Sequence, residues 1–194
     1  MGHIFCMMGK SACGKDTLYS RLINDETLSL KRIVPYTTRP IRSGETEGVE
    51  YHFTDENGLD AIRKEGRVIE ERCYHTVHGD WYYFTVDDGN VNDTDDYLMI
   101  GTLEVYTKLV SYFGADRIVP VYVEIDDGER LSRALLRERS QDNPKYAEMC
   151  RRYLADCDDF SEDKIASSGI AKRYDNSDLE KCIEAIKKDI LSRR

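Results

Sequence analysis

Residues 9–17 read Gly-Lys-Ser-Ala-Cys-Gly-Lys-Asp-Thr, which is nearly a complete phosphate-binding loop of the form G-x-x-x-x-G-K-[ST]. An apolar run, Ile4–Met8, precedes this stretch and predicts a buried strand. After it, Leu18, Leu22 and Ile23 recur at helical spacing. The order of strand, glycine loop and helix is the context in which this pattern binds phosphate, so the stretch predicts an α/β fold with a phosphate site at a helix N-terminus.

The chemistry of the loop follows from its residue types. Gly9 and Gly14 let backbone N–H groups turn inward around phosphate oxygens, and Lys15 adds a full positive charge. Asp16 stands where the pattern has the Ser or Thr hydroxyl that holds magnesium. A carboxylate is itself a hard oxygen ligand, so Asp16 is the candidate Mg²⁺ ligand, and Thr17 lies one position further along the helix. The candidate loop residues are Gly9, Lys10, Ser11, Ala12, Cys13, Gly14, Lys15, Asp16 and Thr17.

Length and composition indicate one compact α/β domain. The chain has 194 residues, of which 40% are hydrophobic, and a formal charge of −9 argues against a nucleic-acid or anionic-membrane partner. No apolar stretch approaches the roughly 18 residues of a membrane span, and the N-terminus already reads as strand and loop, so we expect neither a membrane helix nor a signal peptide. The six cysteines form no C-x-x-C pair, which favours reduced thiols in a cytoplasmic protein.

The arrangement of predicted elements gives the fold class. Strands alternate with helices over most of the chain, which predicts a parallel sheet with helices on both faces. Residues 32–86 break this rhythm: they predict a short strand at 32–36 and a hairpin formed by 68–75 and 81–86. This stretch therefore predicts an inserted lobe over the strand ends.

A second group of motifs resembles the guanylate kinases, which are P-loop nucleoside monophosphate kinases. Residues 36–45 read Tyr-Thr-Thr-Arg-Pro-Ile-Arg-Ser-Gly-Glu, and residues 48–53 read Gly-Val-Glu-Tyr-His-Phe. Val-Ile-Glu at 68–70, Tyr-Tyr-Phe-Thr at 82–85 and Asn-Ser-Asp-Leu at 176–179 follow in the family's order. The resemblance covers essentially the whole chain. It implies a P-loop NTPase-type parallel sheet flanked by helices, with a mixed-β acceptor-binding lobe and a helical lid. The implied single domain, 1–194, divides into a core of about 1–31 and 96–194, a lobe of about 32–95 and a lid of about 137–155.

The resemblance also implies which residues bind GMP. Arg39 and Arg42 would grip its phosphate as planar guanidinium forks, and the alternative for them is a solvated basic loop. Glu70 would read guanine, because a carboxylate can accept both N1–H and the 2-amino group in parallel; its alternative is a surface glutamate at a strand edge. The implied GMP-binding residues are Arg39, Arg42, Tyr51, Glu70, Tyr83 and Thr85.

Further roles implied by the resemblance belong to the lid and the donor site. Arg139 and Arg152, with Arg137, would stabilise the charge on the transferring phosphoryl group, although arginines on helices can also be solvated. Asn176 would lie near the donor base, or else form an Asx-turn or helix cap beside Asp178.

The activity implied is transfer of the ATP γ-phosphoryl group to GMP, with Mg²⁺, by a cytoplasmic monomer or homodimer whose partners are small-molecule nucleotides. Three departures from the family pattern keep alternatives open: Asp16 in the loop, Gly-Thr-Leu-Glu at 101–104 in place of an acidic residue after a strand, and Pro35 where a serine is usual. The first two resemble ribose 1,5-bisphosphate phosphokinases, so an enzyme of that kind is one alternative. A catalytically degenerate guanylate-kinase-like binding module is the other.

Overall fold

The computed structural model describes residues 1–76 and 79–194. Over these residues the chain forms strands β1 (Ile4–Met8), β2 (Lys31–Arg32), β3 (Tyr36–Thr37), β4 (His52–Phe53), β5 (Val68–Thr76), β6 (Gly79–Val86), β7 (Tyr97–Ile100), β8 (Ile118–Glu124) and β9 (Arg173–Asp175). The helices are α1 (Lys15–Ile23), α2 (Glu56–Lys64), α3 (Leu103–Phe113), α4 (Asp127–Arg139), α5 (Tyr146–Asp159), α6 (Glu162–Ser167) and α7 (Leu179–Ser192).

The core is a parallel sheet with strand order β2-β7-β1-β8-β9. Every residue of β1 is buried, because the strand is apolar on both faces and helices cover both. Phe5 and Met7 pack into the cluster that includes α1 and α7, whereas Ile4, Cys6 and Met8 pack into the cluster that includes α3. This architecture confirms the predicted fold class.

The second sheet has the order β4-β3-β6-β5 and mixes parallel with antiparallel pairs, as expected for the inserted lobe. Its own small core forms where Leu59 of α2 packs on Phe84 and Val86 of β6. The hairpin of β5 and β6 agrees with the predicted pair of strands, and the residues that join them, 77 and 78, lie outside the described residues. The limits assigned to core, lobe and lid stay predictions.

The single strand predicted at 32–36 is wrong. The chain instead leaves one sheet and enters the other within these residues: β2 pairs with β7 in the core, and β3 pairs with β4 and β6 in the lobe. Pro35, which has no backbone N–H to donate, lies in the crossing, and its carbonyl accepts from His52 N at 2.9 Å. Helix α6 was not predicted at all.

No helix in the described parts of the chain combines the length and the apolar character needed to cross a membrane.

Candidate active site

The site is built at the carboxyl edge of the core sheet, where ligands bind in open parallel α/β folds. The phosphate loop follows the end of β1, Gly101 follows the end of β7, and Asn176 follows the end of β9. Because the strands are parallel, all of these positions meet at one edge.

Glycine is required at two points of the loop. Gly9 has φ +151° and Gly14 has φ +92°, both in the region that favours glycine. A Cβ at Gly9 would lie 2.2 Å from the carbonyl oxygen of Val123, and one at Gly14 would lie 2.3 Å from Asn176 Nδ2. The loop therefore keeps this shape only without side chains at these two positions.

The ammonium group of Lys15 contacts the main chain of the loop. It is the first residue of α1, and its Nζ donates to Gly9 O at 2.6 Å and to Lys10 O at 3.0 Å. The ammonium group is thus set beside the loop N–H groups and the helix N-terminus, which together favour an anion.

Asn176 braces the loop from β9. It is 3% exposed, and its Nδ2 donates to Cys13 O at 2.8 Å, while its Oδ1 has no hydrogen-bond partner among the described residues. The cap of α7 is Asp178, which accepts from Lys181 N, and Ser177 N donates to Asp175 in the turn before it. The capping and turn roles considered for Asn176 therefore belong to its neighbours. Its place near a donor base stays a prediction.

A cavity of about 420 Å³ lies over the loop. It is lined by Ser11, Ala12, Gly14, Lys15, Asp16, Thr17, Arg133, Arg137 and Arg152. The cavity brings together the loop and two of the predicted lid arginines. It also contains Arg133 of the same helix, which the sequence places one turn before Arg137 among the arginines of the predicted lid. Arg139 is the exposed last residue of α4 and is not among the described residues that line this cavity.

Lys10 and Cys13 line a smaller cavity of about 200 Å³. Lys10 Nζ lies 3.3 Å from both carboxylate oxygens of Asp127. Burial raises the pKa of the Cys13 thiol, against the opposing effect of Lys15. Cys13 therefore acts in this structure as a buried apolar side chain of the core.

A buried network that the sequence analysis missed connects the loop to α4 and α5. The side chain of Arg130 is 1% exposed; it pairs with Asp127 at 2.9 Å and Asp156 at 3.5 Å, and it lies 3.9 Å from the ring centroid of Tyr153. Asp156 also accepts from Ser11 N at 2.8 Å. The i, i+3 spacing of Asp127 and Arg130 could have suggested a pair, but no pattern in the sequence showed that the arginine is buried.

In the lobe, Arg39 is fixed by several groups. Its Nη atoms donate to the two carboxylate oxygens of Glu45 at 2.7 and 2.5 Å, and its Nε donates to Tyr83 OH at 3.0 Å. The guanidinium also lies 5.0 Å from the ring centroid of Tyr51. The Arg39 hydrogen bonds lower the pKa of Glu45 to about 2. Arg39, Tyr51 and Tyr83 are therefore together, with Glu45 as an added partner.

Arg42 takes a different direction. Its backbone N–H donates to Glu45 at 2.8 Å, but the residue is exposed and lines a cavity of about 480 Å³ that includes Trp81 from the lobe and Lys145 and Arg152 from the lid region. The two arginines that the sequence pairs around Pro40 thus do not converge on one point in this structure.

Elsewhere in the lobe, Glu70 and Thr85 lie opposite each other on β5 and β6. A bulge between Val68 and Glu70 shifts the register there, and bulges of this kind re-aim side chains beside functional sites. Thr85 Oγ1 donates to Glu70 Oε1 at 2.7 Å, and the residues are 1% and 5% exposed. Arg72, another residue we did not predict, donates to Glu70 Oε2 at 3.1 Å.

A cavity of about 500 Å³ lies between core and lobe. Its lining includes Asp16 and Ile100 from the core and Pro35 and Tyr51 from the chain that enters the lobe. Since Asp16 lines both this cavity and the one over the loop, the two adjoin at Asp16.

The structure accounts for the glycine after β7. A Cβ at Gly101 would lie 3.0 Å from Cys6 Sγ and 3.1 Å from Val105 Cγ1, so a larger side chain would have to displace its neighbours. Thr102 caps α3, and Glu104 is exposed in the first turn of that helix.

Comparisons with known proteins agree on one family. The family model described as guanylate kinase matches residues 1–191. The guanylate kinase of Rhodopseudomonas palustris (strain HaA2) is 39% identical over 80 residues, covering 39% of this chain and 36% of that protein. The guanylate kinase of Neisseria gonorrhoeae (strain ATCC 700825 / FA 1090) is 33% identical over 104 residues, covering 54% and 49%. The chain thus spans about half the length, or less, of these curated relatives.

The match to a third relative and to a solved structure is longer. The guanylate kinase of Cupriavidus pinatubonensis (strain JMP 134 / LMG 1197) is 27% identical over 160 residues, covering 79% of this chain and 68% of that protein. The crystal structure of guanylate kinase from Anaplasma phagocytophilum superposes with a TM-score of 0.68 at 19% identity, covering 98% of this chain and 85% of that chain. At this identity the superposition speaks for the fold.

Proposed function

The chain belongs to the guanylate kinase family, and we propose that it is a nucleoside monophosphate kinase that transfers the γ-phosphoryl group of ATP to GMP, giving ADP and GDP. The observation that carries this proposal is the position of Asp16. This residue, next to the loop lysine, lines both the cavity over the phosphate loop and the cavity that reaches Tyr51 in the lobe. A donor phosphate on the loop and an acceptor phosphate in the lobe would therefore meet beside it.

The donor phosphates would bind to the loop N–H groups and to Lys15. Its ammonium now donates to two loop carbonyls, and an incoming phosphate would be a stronger acceptor because it is charged. Asn176, which holds the loop main chain at Cys13, completes this proposed donor site together with residues 9–17.

Magnesium is the proposed cofactor, with Asp16 as its ligand. The donor set fits: the Asp16 carboxylate and the Thr17 hydroxyl, both hard oxygen donors, line the cavity over the loop. When bound, Mg²⁺ would neutralise charge on the donor phosphates. The carboxylate adds a negative charge that the usual hydroxyl lacks, so Asp16 would hold the ion by charge as well as by coordination.

The acceptor would bind along the lobe. Arg39 with Tyr51 and Tyr83 would hold the GMP phosphate at one end, and Arg42 would join them by turning from the lid side. At the other end, Glu70 would accept from guanine N1–H and the 2-amino group, with Thr85 beside it. A base without those donors would leave a buried carboxylate unpaired, which is the physical basis of selectivity.

Catalysis would consist of positioning and charge stabilisation. The attacking phosphate oxygen is already ionised, so no general base is required. Arg137 and Arg152, joined by Arg133, line the cavity over the loop, and they would stabilise the transferring group. Arg139, at the end of α4, would need lid movement to take part.

A cytoplasmic location is also part of the proposal. All six cysteines are free thiols, as is usual in reducing compartments.

The proposal is tested by incubating the chain with Mg²⁺, ATP and GMP and measuring ADP and GDP together. We expect equal amounts of both products. The variant Lys15→Met should lose turnover by a factor on the order of a thousand or more, because the loop cation is removed, while GMP binding measured by calorimetry stays within about threefold. ADP formed without GDP, or full turnover by the variant, would contradict the proposal.

A further inference from the structure

Arg72 lies inside the proposed guanine-reading site. It follows Glu70 by two residues on β5, so both side chains project from the same face of the strand. Arg72 Nε donates to Glu70 Oε2 at 3.1 Å, and the two side chains are 18% and 2% exposed. The pair is therefore an ion pair largely withdrawn from solvent, where such pairs matter far more than on the surface.

The carboxylate of Glu70 has two fixed donors, one on each oxygen. Thr85 Oγ1 donates to Oε1, and Arg72 donates to Oε2. An ionised carboxylate offers about four lone-pair positions, so each oxygen keeps one for a ligand. Two parallel donors of a guanine would use these remaining positions.

The surroundings of Glu70 show why it needs a cation. The carboxylate lies where the lobe meets the core: burial raises the pKa of the Cys6 thiol on β1 to about 12, with Glu70 as the next cause and Arg72 as the opposing one. A carboxylate beside an apolar core strand loses hydration, so its oxygens need polar partners in the protein. Arg72 is the cation in direct contact with it among the described residues.

We propose that Arg72 is a positioning residue for guanine recognition, which turns the Glu70 carboxylate so that one acceptor position on each oxygen faces the base. This inference rests on the proposed function and adds a specificity-determining residue to it. Arg72 acts through Glu70, and its loss affects acceptor binding more than the transfer step.

The test compares Arg72→Met with Arg72→Lys, Glu70→Gln and the double variant Glu70→Gln/Arg72→Met. The control is Arg63→Met, which removes an arginine that donates to the adjacent Glu71 at 2.9 Å on the more exposed side of the hairpin. For each protein, kcat and KM are measured with GMP and with inosine monophosphate, which keeps N1–H but lacks the 2-amino group. Thermal unfolding shows whether each variant is folded.

In Arg72→Met we expect the KM for GMP to rise on the order of tenfold or more, with kcat and the KM for ATP changed less than about threefold. The preference for GMP over inosine monophosphate should shrink. Arg72→Lys should recover part of both, and Arg63→Met should match wild type. In the Glu70→Gln background, Arg72→Met should raise the KM for GMP by less than about threefold further, because the carboxylate on which Arg72 acts is already gone.

An unchanged KM and preference in a folded Arg72→Met variant would overturn the inference, and so would full additivity of the two substitutions. If Arg72→Met does not fold, failure of Arg72→Lys to differ from wild type in the GMP preference would also overturn it. A wild-type chain that does not turn over GMP would overturn the proposed function and this inference with it.

Discussion

Arg39 and Glu45 form a residue pair that would prepare the proposed phosphate site. Arg39 is 3% exposed and bonded to both oxygens of Glu45. A buried guanidinium without a partner would be costly, so Glu45 keeps it charged and in place. A bound phosphate would therefore have to share the Arg39 guanidinium with the carboxylate of Glu45. Tyr51 and Tyr83, which lie against the guanidinium, would supply neutral donors to the same phosphate.

Substituting Glu45→Gln should change the acid stability of the protein. The pKa of Glu45 lies at about 2 in the folded chain, below its usual 4.5, so its ionised form stabilises the fold above about pH 4.5 and this contribution is lost as the pH falls toward 2. We expect the variant to be less stable by about 1 kcal/mol near neutral pH, and the difference from wild type to shrink through that window. Urea unfolding at a series of pH values measures it.

The matched control is Glu180→Gln, which removes a carboxylate that is bonded to Arg21 at 3.1 Å in the same bidentate way but is exposed. It should show almost no difference at any pH. A wild-type-to-variant difference for Glu45 that stays constant down to pH 2 would contradict the assignment.

Asp16 should determine the magnesium requirement. Asp16→Asn keeps the size of the side chain but removes the charge, so half-maximal activity should require about tenfold more Mg²⁺. Asp16→Thr, which places the hydroxyl of the usual loop pattern here, should require a Mg²⁺ concentration between those of wild type and Asp16→Asn. ADP formation is titrated with Mg²⁺ at saturating ATP, with the exposed Glu104→Gln as control. Equal Mg²⁺ dependence in wild type and Asp16→Asn would show that Asp16 does not hold the ion.

At the residue scale, the sequence predicted the residues that belong to a motif better than the residues that contact them. Glu70 and Thr85 were predicted from separate motifs and prove to be hydrogen-bonded. Arg72 and Glu45 were missed as partners because a charged residue two or six positions away usually faces solvent. Strand alternation places Arg72 on the same face as Glu70, but it does not show that this face is buried, and the turn that brings Glu45 back to Arg39 has no periodic signal.

At the scale of elements, the buried Arg130 is one of the contacts that connect α4 and α5 to the loop. Arg130 touches Asp127 on its own helix, Asp156 and Tyr153 on α5, and approaches Ser11 O at 3.5 Å. Asp156 in turn holds Ser11 N, one of the N–H groups of the phosphate loop. The position of the helices that carry the predicted lid arginines is thereby tied to the shape of the loop.

Arg130→Met should destabilise the fold by about 3 kcal/mol or more, because it leaves the partly buried carboxylate of Asp156 without its cation. The exposed Arg151, which pairs with Glu148 at 2.7 Å on α5, provides the control: Arg151→Met should cost less than about 1 kcal/mol. Urea unfolding measures both. Equal losses of unfolding free energy in the two variants would mean that Arg130 does not stabilise the contact of α4 and α5 with the loop.

The secondary-structure elements were predictable where a continuous run of residues belongs to a single sheet or helix. The apolar run of β1, the helical spacing in α1 and the strand patterns of β5 and β6 led to the right elements. The stretch at 32–36 did not, because a strand pattern says nothing about which sheet the strand joins. Here two residues pair in the core and two in the lobe, with Pro35 between the two strands. That crossing is one covalent connection between the two bodies.

At the scale of the whole molecule, three cavities lie beside the phosphate loop. One cavity lies between core and lobe, one over the loop, and one between Arg42 and Trp81 of the lobe and residues of α4 and α5. Substrates bound to lobe and loop would draw these parts together. Such closure excludes water from the transferring group.

Trp81 should report this closure, since it is the single tryptophan of the chain and lines the cavity between lobe and lid. We expect its emission to shift when GMP and a non-hydrolysable ATP analogue bind together, and to shift less with either alone, because only both substrates complete the closed state. Trp81→Phe should abolish the signal, which identifies its source. An emission spectrum unchanged by both ligands, at concentrations where calorimetry shows binding, would contradict closure around this cavity.

We propose that this molecule selects a guanine nucleotide as phosphoryl acceptor. The measurement that tests it most directly is kcat/KM for ADP formation from Mg-ATP with GMP, AMP, UMP, CMP and ribose 1,5-bisphosphate as separate acceptors. We predict that GMP is preferred over every other acceptor by on the order of a thousandfold or more, because only guanine satisfies the buried Glu70. Turnover of the sugar bisphosphate in place of GMP would contradict this proposal. It would indicate that Asp16 and Gly101 belong to an enzyme with a sugar bisphosphate acceptor.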